Sequence, residues 1–126
     1  MQGSFSSLAE FAALRGAFRT YLGTICPREA ERLFVALNEA VNNALVHGNK
    51  EDVGKQVRVR VEERRGAVVI KVRDEGEGFA HRTVAVSEDD WQEDGRGLFI
   101  IRQYTDGVKF NVKGNEIVIS TLIRTE

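Results

Sequence analysis

Glu39, Asn43 and His47 recur every four residues in the stretch Glu39-Ala-Val-Asn-Asn43-Ala-Leu-Val-His47-Gly48. That spacing stacks them on one face of a helix, while Leu33, Leu37, Ala40, Val41, Ala44 and Leu45 form an apolar stripe beside them. A carboxylate and an amide one turn apart on a largely buried helix are costly unless something satisfies them. Two glycine-rich segments further along carry complementary chemistry. Asp74-Glu-Gly76-Glu-Gly78-Phe79 comes straight off a β-patterned run, and Gly95-Arg96-Gly97-Leu98 opens a helical one. Asp74 can accept a hydrogen bond from an exocyclic amine, which suits adenine. Gly76 and Gly78 let the backbone approach a flat base or a ribose with no Cβ in the way. Gly95 and Gly97 precede a helix whose free N–H groups and positive dipole end hold phosphates. Asn43 offers a neutral oxygen to Mg²⁺, whose other ligands are waters and triphosphate oxygens. Glu39, one turn away, can orient or deprotonate an attacking hydroxyl.

Taken singly, each segment has a duller reading. Asp74-x-Gly76-x-Gly78 could be a polar turn after a strand. Gly95-x-Gly97 lacks the third glycine and the βαβ setting of a dinucleotide fingerprint, and no Gly-x-x-x-x-Gly-Lys-[Ser/Thr] P-loop occurs. His47 alone reads as a hydrogen-bonded histidine at a helix end, and Glu39 alone as a mid-helix charge facing water. The ordered combination is what points to phosphoryl transfer from ATP with Mg²⁺.

These residues need a scaffold, and its elements are readable. Leu8, Phe11, Ala12, Leu14, Phe18, Tyr21 and Leu22 recur at helical spacing, with Gly23 as a stop. Arg15 and Arg19 fall one turn apart on the polar side, a solvated face or, as the alternative, a partner-binding one. Pro27 suits a first helical position, so the second helix is expected over 27–47, with Gly48 as its left-handed cap. Val57, Val59 and Val61 alternate with charges and predict a strand over 55–63. Arg64-Arg65-Gly66 is a turn, and Val68, Ile70 and Val72 continue as the antiparallel partner. Residues 80–94 are acidic and without clear period, long for a loop in a compact domain. A helix from Gly95 to about Tyr104, a turn at Asp106-Gly107, a strand through Val108, Phe110 and Val112, a hairpin turn over 113–116 and a closing strand over 117–124 complete the chain. Phe5 and its neighbours read as a short edge strand. Helices over one face of a mostly antiparallel sheet make an α+β fold, a two-layer sandwich.

Bulk properties set the bounds. The 126 residues suit one domain, 1–126, and 42% hydrophobic with 29% charged content is ordinary for a globular chain. With 18 basic and 19 acidic residues the net charge is −1, which argues against a nucleic-acid surface as the main business. No apolar run approaches a membrane span, and the N-terminus lacks the pattern of a signal peptide. One cysteine, Cys26, excludes an internal disulfide, and with two histidines it makes a structural zinc site a poor expectation. The expected location is cytoplasmic.

The three segments together resemble the GHKL ATPase superfamily, which includes gyrase and the histidine-kinase catalytic domain. Glu39-x-x-x-Asn43-Ala44-x-x-His47-Gly48 looks like its N box, Asp74-x-Gly76-x-Gly78-Phe79 like its first glycine box, and Gly95-x-Gly97-Leu98-x-x-Ile101 like its second. Within it the chain is similar to the bacterial anti-sigma factor serine-protein kinases. The resemblance implies a Bergerat-type ATP-binding fold, Glu39 as catalytic base and Asn43 as magnesium ligand. It implies a nucleotide site of Asn43, His47, Asp74, Gly76, Gly78, Phe79, Gly95, Arg96, Gly97 and Leu98, with residues 80–94 as an ATP lid. It further implies phosphorylation of a STAS-domain anti-anti-sigma protein, sequestration of a sigma factor, and a homodimer, which the shortened N-terminal strand leaves open. The alternatives are a switch kinase of a stress-signalling complex without sigma binding, and a module that binds ATP and transfers nothing.

Overall fold

The computed structural model describes residues 1–78 and 96–124. In chain order the elements are β1 (Gln2–Phe5), α1 (Leu8–Ile25), α2 (Ala30–Asn43), a π-helical turn (Ala44–Gly48), β2 (Val57–Arg64), β3 (Ala67–Arg73), α3 (Arg96–Tyr104), β4 (Gly107–Phe110) and β5 (Glu116–Leu122). The strands form one five-stranded sheet in the order β1-β2-β3-β5-β4, every neighbouring pair antiparallel. The crossing from β3 over β5 to the edge strand β4 carries α3, which brings the second glycine segment onto the helical layer.

Alternation decides which face of the sheet is covered. Val57, Val59 and Val61 of β2, Val68, Ile70 and Val72 of β3, and Ile117 and Ile119 of β5 are buried against the helices. Phe11, Phe18 and Leu22 of α1, Leu33, Leu37 and Val41 of α2, and Leu98 and Ile101 of α3 complete that core. Burying side chains of this size contributes about 1.5–3 kcal/mol each. The result is the expected α+β sandwich, with one sheet face uncovered by the described elements.

Local chemistry explains the boundaries. Ser7 caps α1 by accepting from the Glu10 N–H at 3.1 Å. That helix runs through Gly23 to Ile25, where the Cys26 N–H bonds the Leu22 carbonyl. The expected stop at Gly23 gives way because nothing crowds that glycine and the buried Cys26 ends the helix instead. The second helix also starts later than Pro27. Residues 27–29 form a turn, and the Glu29 side chain, 1% exposed, is drawn inward to accept from the Arg124 N–H at 2.9 Å. Between β2 and β3 the loop is Arg65-Gly66, with φ of 52° and 79°. Two successive positive φ values are the mark of a type I′ hairpin, whose twist matches its strands. β1 pairs with β2 from Gln2↔Arg60 to Phe5↔Val57, and the Phe5 ring lies 4.9 Å from that of Phe11. Arg15 and Arg19 are exposed on α1, and Arg19 pairs with exposed Glu31 at 2.7 Å.

The end of α2 differs most from expectation. Gly48 is not a left-handed cap; the left-handed residues are Lys50 (φ 54°) and Glu51 (φ 60°). The helix widens at Ala44 and closes with the Asn49 N–H on the Ala44 carbonyl at 2.8 Å, five residues back. Single π turns of this kind are common at functional sites.

Candidate functional site

One corner of the site lies where α3 meets α2. Glu39 and Asn43 sit one turn apart on α2, both partly exposed. Gly97, in the first turn of α3, faces them at close range. A Cβ there would stand 2.9 Å from the Glu39 Oε1, 3.1 Å from the Asn43 Nδ2 and 3.3 Å from its Oδ1. A side chain there would therefore push the Glu39 and Asn43 tips out of their present positions. Leu98 (8% exposed) and Ile101 (0%) anchor α3 in the core, with its first turn beside Glu39 and Asn43. Neither the Glu39 carboxylate nor the Asn43 amide makes a hydrogen bond among the described residues. Their oxygens thus keep open lone pairs beside a helix N-terminus.

That observation tests whether the chain suits a magnesium ion. An amide oxygen and a carboxylate one turn apart are hard donors of the kind Mg²⁺ takes, and both are unspent. Among the described residues no group of three His, Cys, Asp or Glu side chains is placed to hold a metal ion. A magnesium ion at Asn43 would have to take most of its ligands from water and phosphate, which is its habit in phosphoryl-transfer sites. The donor set fits.

A second corner forms where the π turn meets the end of β3. Gly48, Asp74 and Gly76 are in mutual contact. A Cβ on Gly48 would strike the Asp74 carboxylate, and one on Gly76 would strike the Gly48 carbonyl. These glycines are small so that the chain can approach itself, which fixes Asp74 in place. The Gly76 N–H donates to the Asp74 Oδ1 at 2.7 Å, and the Asp74 N–H bonds the Asn115 carbonyl at 2.9 Å. Burial raises the Asp74 carboxyl above its ordinary value of 3.8, against the opposing pull of the Gly76 N–H, then of Lys113 and Lys55. Gly78 (φ +83°) lies against the Lys113 carbonyl, in a conformation that disfavours a side chain.

Two asparagines that the sequence reading passed over frame this corner. Asn49, 2% exposed, accepts from the Glu75 N–H at 2.8 Å through Oδ1 and donates to the Gln56 carbonyl at 3.1 Å through Nδ2. It thereby ties the end of the π turn to both the entry of β2 and the Asp74 loop. Asn115, 5% exposed, donates through Nδ2 to the Asp74 carbonyl at 3.1 Å. Its own loop is wound around Asn111, whose Oδ1 accepts from the N–H groups of Gly114, Asn115 and Glu116 at 2.7, 3.0 and 3.1 Å.

The structure therefore brings Glu39, Asn43 and Gly97 together, and separately Gly48, Asp74 and Gly76, with the α2–π run connecting the two groups. His47 is exposed at the end of that run. Arg96 opens α3. Phe79, Gly95 and the expected lid over residues 80–94 lie outside the described residues.

With this geometry in view, the sequence itself places the chain. The histidine kinase-like ATPase domain family matches residues 6–121, and the chain belongs to that family. It is accordingly an ATP-binding domain of the GHKL superfamily. Comparison with curated proteins gives no match. No helix among the described residues is long and apolar enough to cross a membrane.

Proposed function

We propose that this domain is a cytoplasmic, ATP- and Mg²⁺-dependent serine-protein kinase of the anti-sigma type, which phosphorylates a STAS-domain anti-anti-sigma protein and sequesters a sigma factor. The observation that carries the catalytic part is the seat of Gly97 against Glu39 and Asn43. It brings the first turn of α3 to the Asn43 amide and the Glu39 carboxylate, which supports a phosphate, metal and base site there. In this reading adenine lies in the Asp74–Gly76 corner, held by the carboxylate. The triphosphate runs along the α2–π face past His47 to Gly95, Arg96, Gly97 and Leu98. Asn43 would hold Mg²⁺, whose charge would offset that of the phosphates. Glu39 takes the proton of the incoming serine hydroxyl. Phe79 and Gly78 border the nucleotide.

The test is phosphotransfer from labelled ATP to a purified STAS-domain protein, with calorimetry of ATP binding in parallel. Removing a positioned base costs ~10²–10⁴-fold in rate. Glu39→Ala should lose transfer in that range while ATP affinity stays within about threefold. Transfer at the wild-type rate in the variant would remove Glu39 from its role. ATP binding with no transfer to any STAS protein by the wild type would reduce the domain to a nucleotide-binding module.

A further inference from the structure

The helix-free face of the sheet carries a charge pattern that the ATP site does not use. Side chains alternate across each strand, so the registers place residues in rows on that face. One row runs Gln2–Arg60–Lys71–Val118–Lys109 across all the strands. The next runs Ser4–Arg58–Arg73–Glu116. Neighbouring strands are about 4.8 Å apart, so these cations stand side by side. Arg60 is tied to Glu62 at 3.3 Å, while Arg58, Lys71, Arg73 and Lys109 have no ion pair among the described residues. A cleft opens between the rows, lined by Ser4, Arg58, Arg60, Lys71, Arg73 and Glu116. The chain as a whole has a net charge of −1, so this face concentrates positive charge that the rest of the surface offsets.

Like charges packed side by side on adjacent strands destabilise a sheet. Their presence on an otherwise regular face marks a surface shaped for something other than folding. We propose that this face is a docking surface for an acidic segment of a partner protein, laid along the cleft between Arg58, Lys71 and Arg73. A second copy of the chain is the wrong occupant: a two-fold interface sets the same patch against itself, and these cations would then oppose each other. Nucleic acid fits poorly. Glu62 and Glu116 sit among the cations, where they would meet phosphates, and the rows hold no aromatic ring on which a base could stack. The exposed apolar atoms of Leu122 and the partly exposed Val69 and Val118 border the cations, as at a protein interface with a mixed rim.

The experiment titrates the full chain with a fluorescein-labelled decapeptide of Asp and Glu interrupted by Leu, and follows anisotropy at low and at physiological salt. Comparison ligands are a single-stranded oligonucleotide, a duplex, and vesicles containing phosphatidylserine. Two double variants carry the same change in net charge. Arg58→Glu with Lys71→Glu alters the face; Arg15→Glu with Arg19→Glu alters the exposed polar side of α1. The face variant should weaken peptide binding by about tenfold or more and the α1 variant by less than about twofold, with ATP binding unchanged in both. The proposal is overturned by equal loss in the two variants, by no binding of the peptide, or by tighter binding of an oligonucleotide or the vesicles. It is also overturned if sedimentation shows a wild-type dimer that the face variant dissociates. Lys71→Gln with Arg73→Gln provides the same reading, with a smaller loss, should the charge-reversed protein fold poorly.

Discussion

At the scale of single residues, the environment of each titratable group decides its behaviour. Asp74 is partly buried, and that burial raises its carboxyl pKa above the ordinary value of 3.8 even though Gly76, Lys113 and Lys55 pull it down. A folded chain that holds this proton more tightly than the unfolded chain gains from it fully below the unfolded pKa. It loses that gain as pH rises through the folded pKa. Asp74→Asn keeps an oxygen for the Gly76 N–H and has no charge to desolvate. The variant should therefore melt higher relative to wild type at pH 7 than at pH 4, while its ATP affinity falls and its preference over GTP shrinks. Thermal melts across that range, with calorimetry for each nucleotide, check both; a melting gap that does not change with pH would show that burial of the carboxylate carries no cost. Cys26 offers a second case. Burial, then Glu29, then Glu63 push its thiol up to about 11. Thiolate is the reactive form, so Cys26 should be inert to a disulfide reagent in the native protein and react at the rate of unfolding. Prompt labelling under native conditions would contradict the closed packing around it.

At the scale of elements, the glycines divide into those facing backbone and those facing side-chain ends, and the two kinds should fail differently. A Cβ on Gly76 meets the Gly48 carbonyl, which the π turn holds rigidly. Gly76→Ala should cost about 1–3 kcal/mol of stability, the usual penalty of overpacking, and displace Asp74 as well. A Cβ on Gly97 meets the tips of Glu39 and Asn43 at 2.9 and 3.1 Å, and those can swing aside. Gly97→Ala should melt within a few degrees of wild type yet bind ATP roughly ten- to a hundredfold more weakly, since a small misplacement at a positioned site is expensive. Denaturant melts and calorimetry on both variants separate the cases. The same division shows what a sequence can and cannot reveal. The alternation of Val57, Val59 and Val61 with Val68, Ile70 and Val72, and the spacing of Glu39 and Asn43, are local periodicities. They gave the β2–β3 hairpin and the shared helix face directly. The late start of α2 depends on Glu29 reaching Arg124, and the π turn depends on Gly48 making room for Asp74. Asn49 and Asn115 looked like ordinary loop asparagines because their partners, Glu75 and Asp74, are distant in sequence. A buried asparagine beside a glycine motif was the available signal, and only the tertiary contact gives it meaning.

At the scale of the whole molecule, both corners of the site are borrowed from the core. Leu98 and Ile101 fix α3 against α2, and Asn115, at the turn into β5, fixes Asp74 at the end of β3, so nucleotide binding and global stability share supports. A ligand that binds only the folded chain stabilises it by about 2.7 kcal/mol when present at a hundred times its dissociation constant. For a domain of 126 residues, that free energy corresponds to a rise in melting temperature of roughly 10 °C. ATP with Mg²⁺ should produce a shift of that size. If Asn43 holds Mg²⁺ as proposed, ATP with a chelator should produce less, because the phosphates would then lack that link to the chain. Asn43→Ala removes a neutral side-chain oxygen placed beside Glu39 and Gly97, so it should abolish the difference between the two conditions and leave the melting temperature of the free protein nearly unchanged. An equal magnesium-dependent increment in wild type and variant would move the ion away from Asn43. It would leave that amide as a hydrogen-bond donor to phosphate, with the metal held by the nucleotide alone.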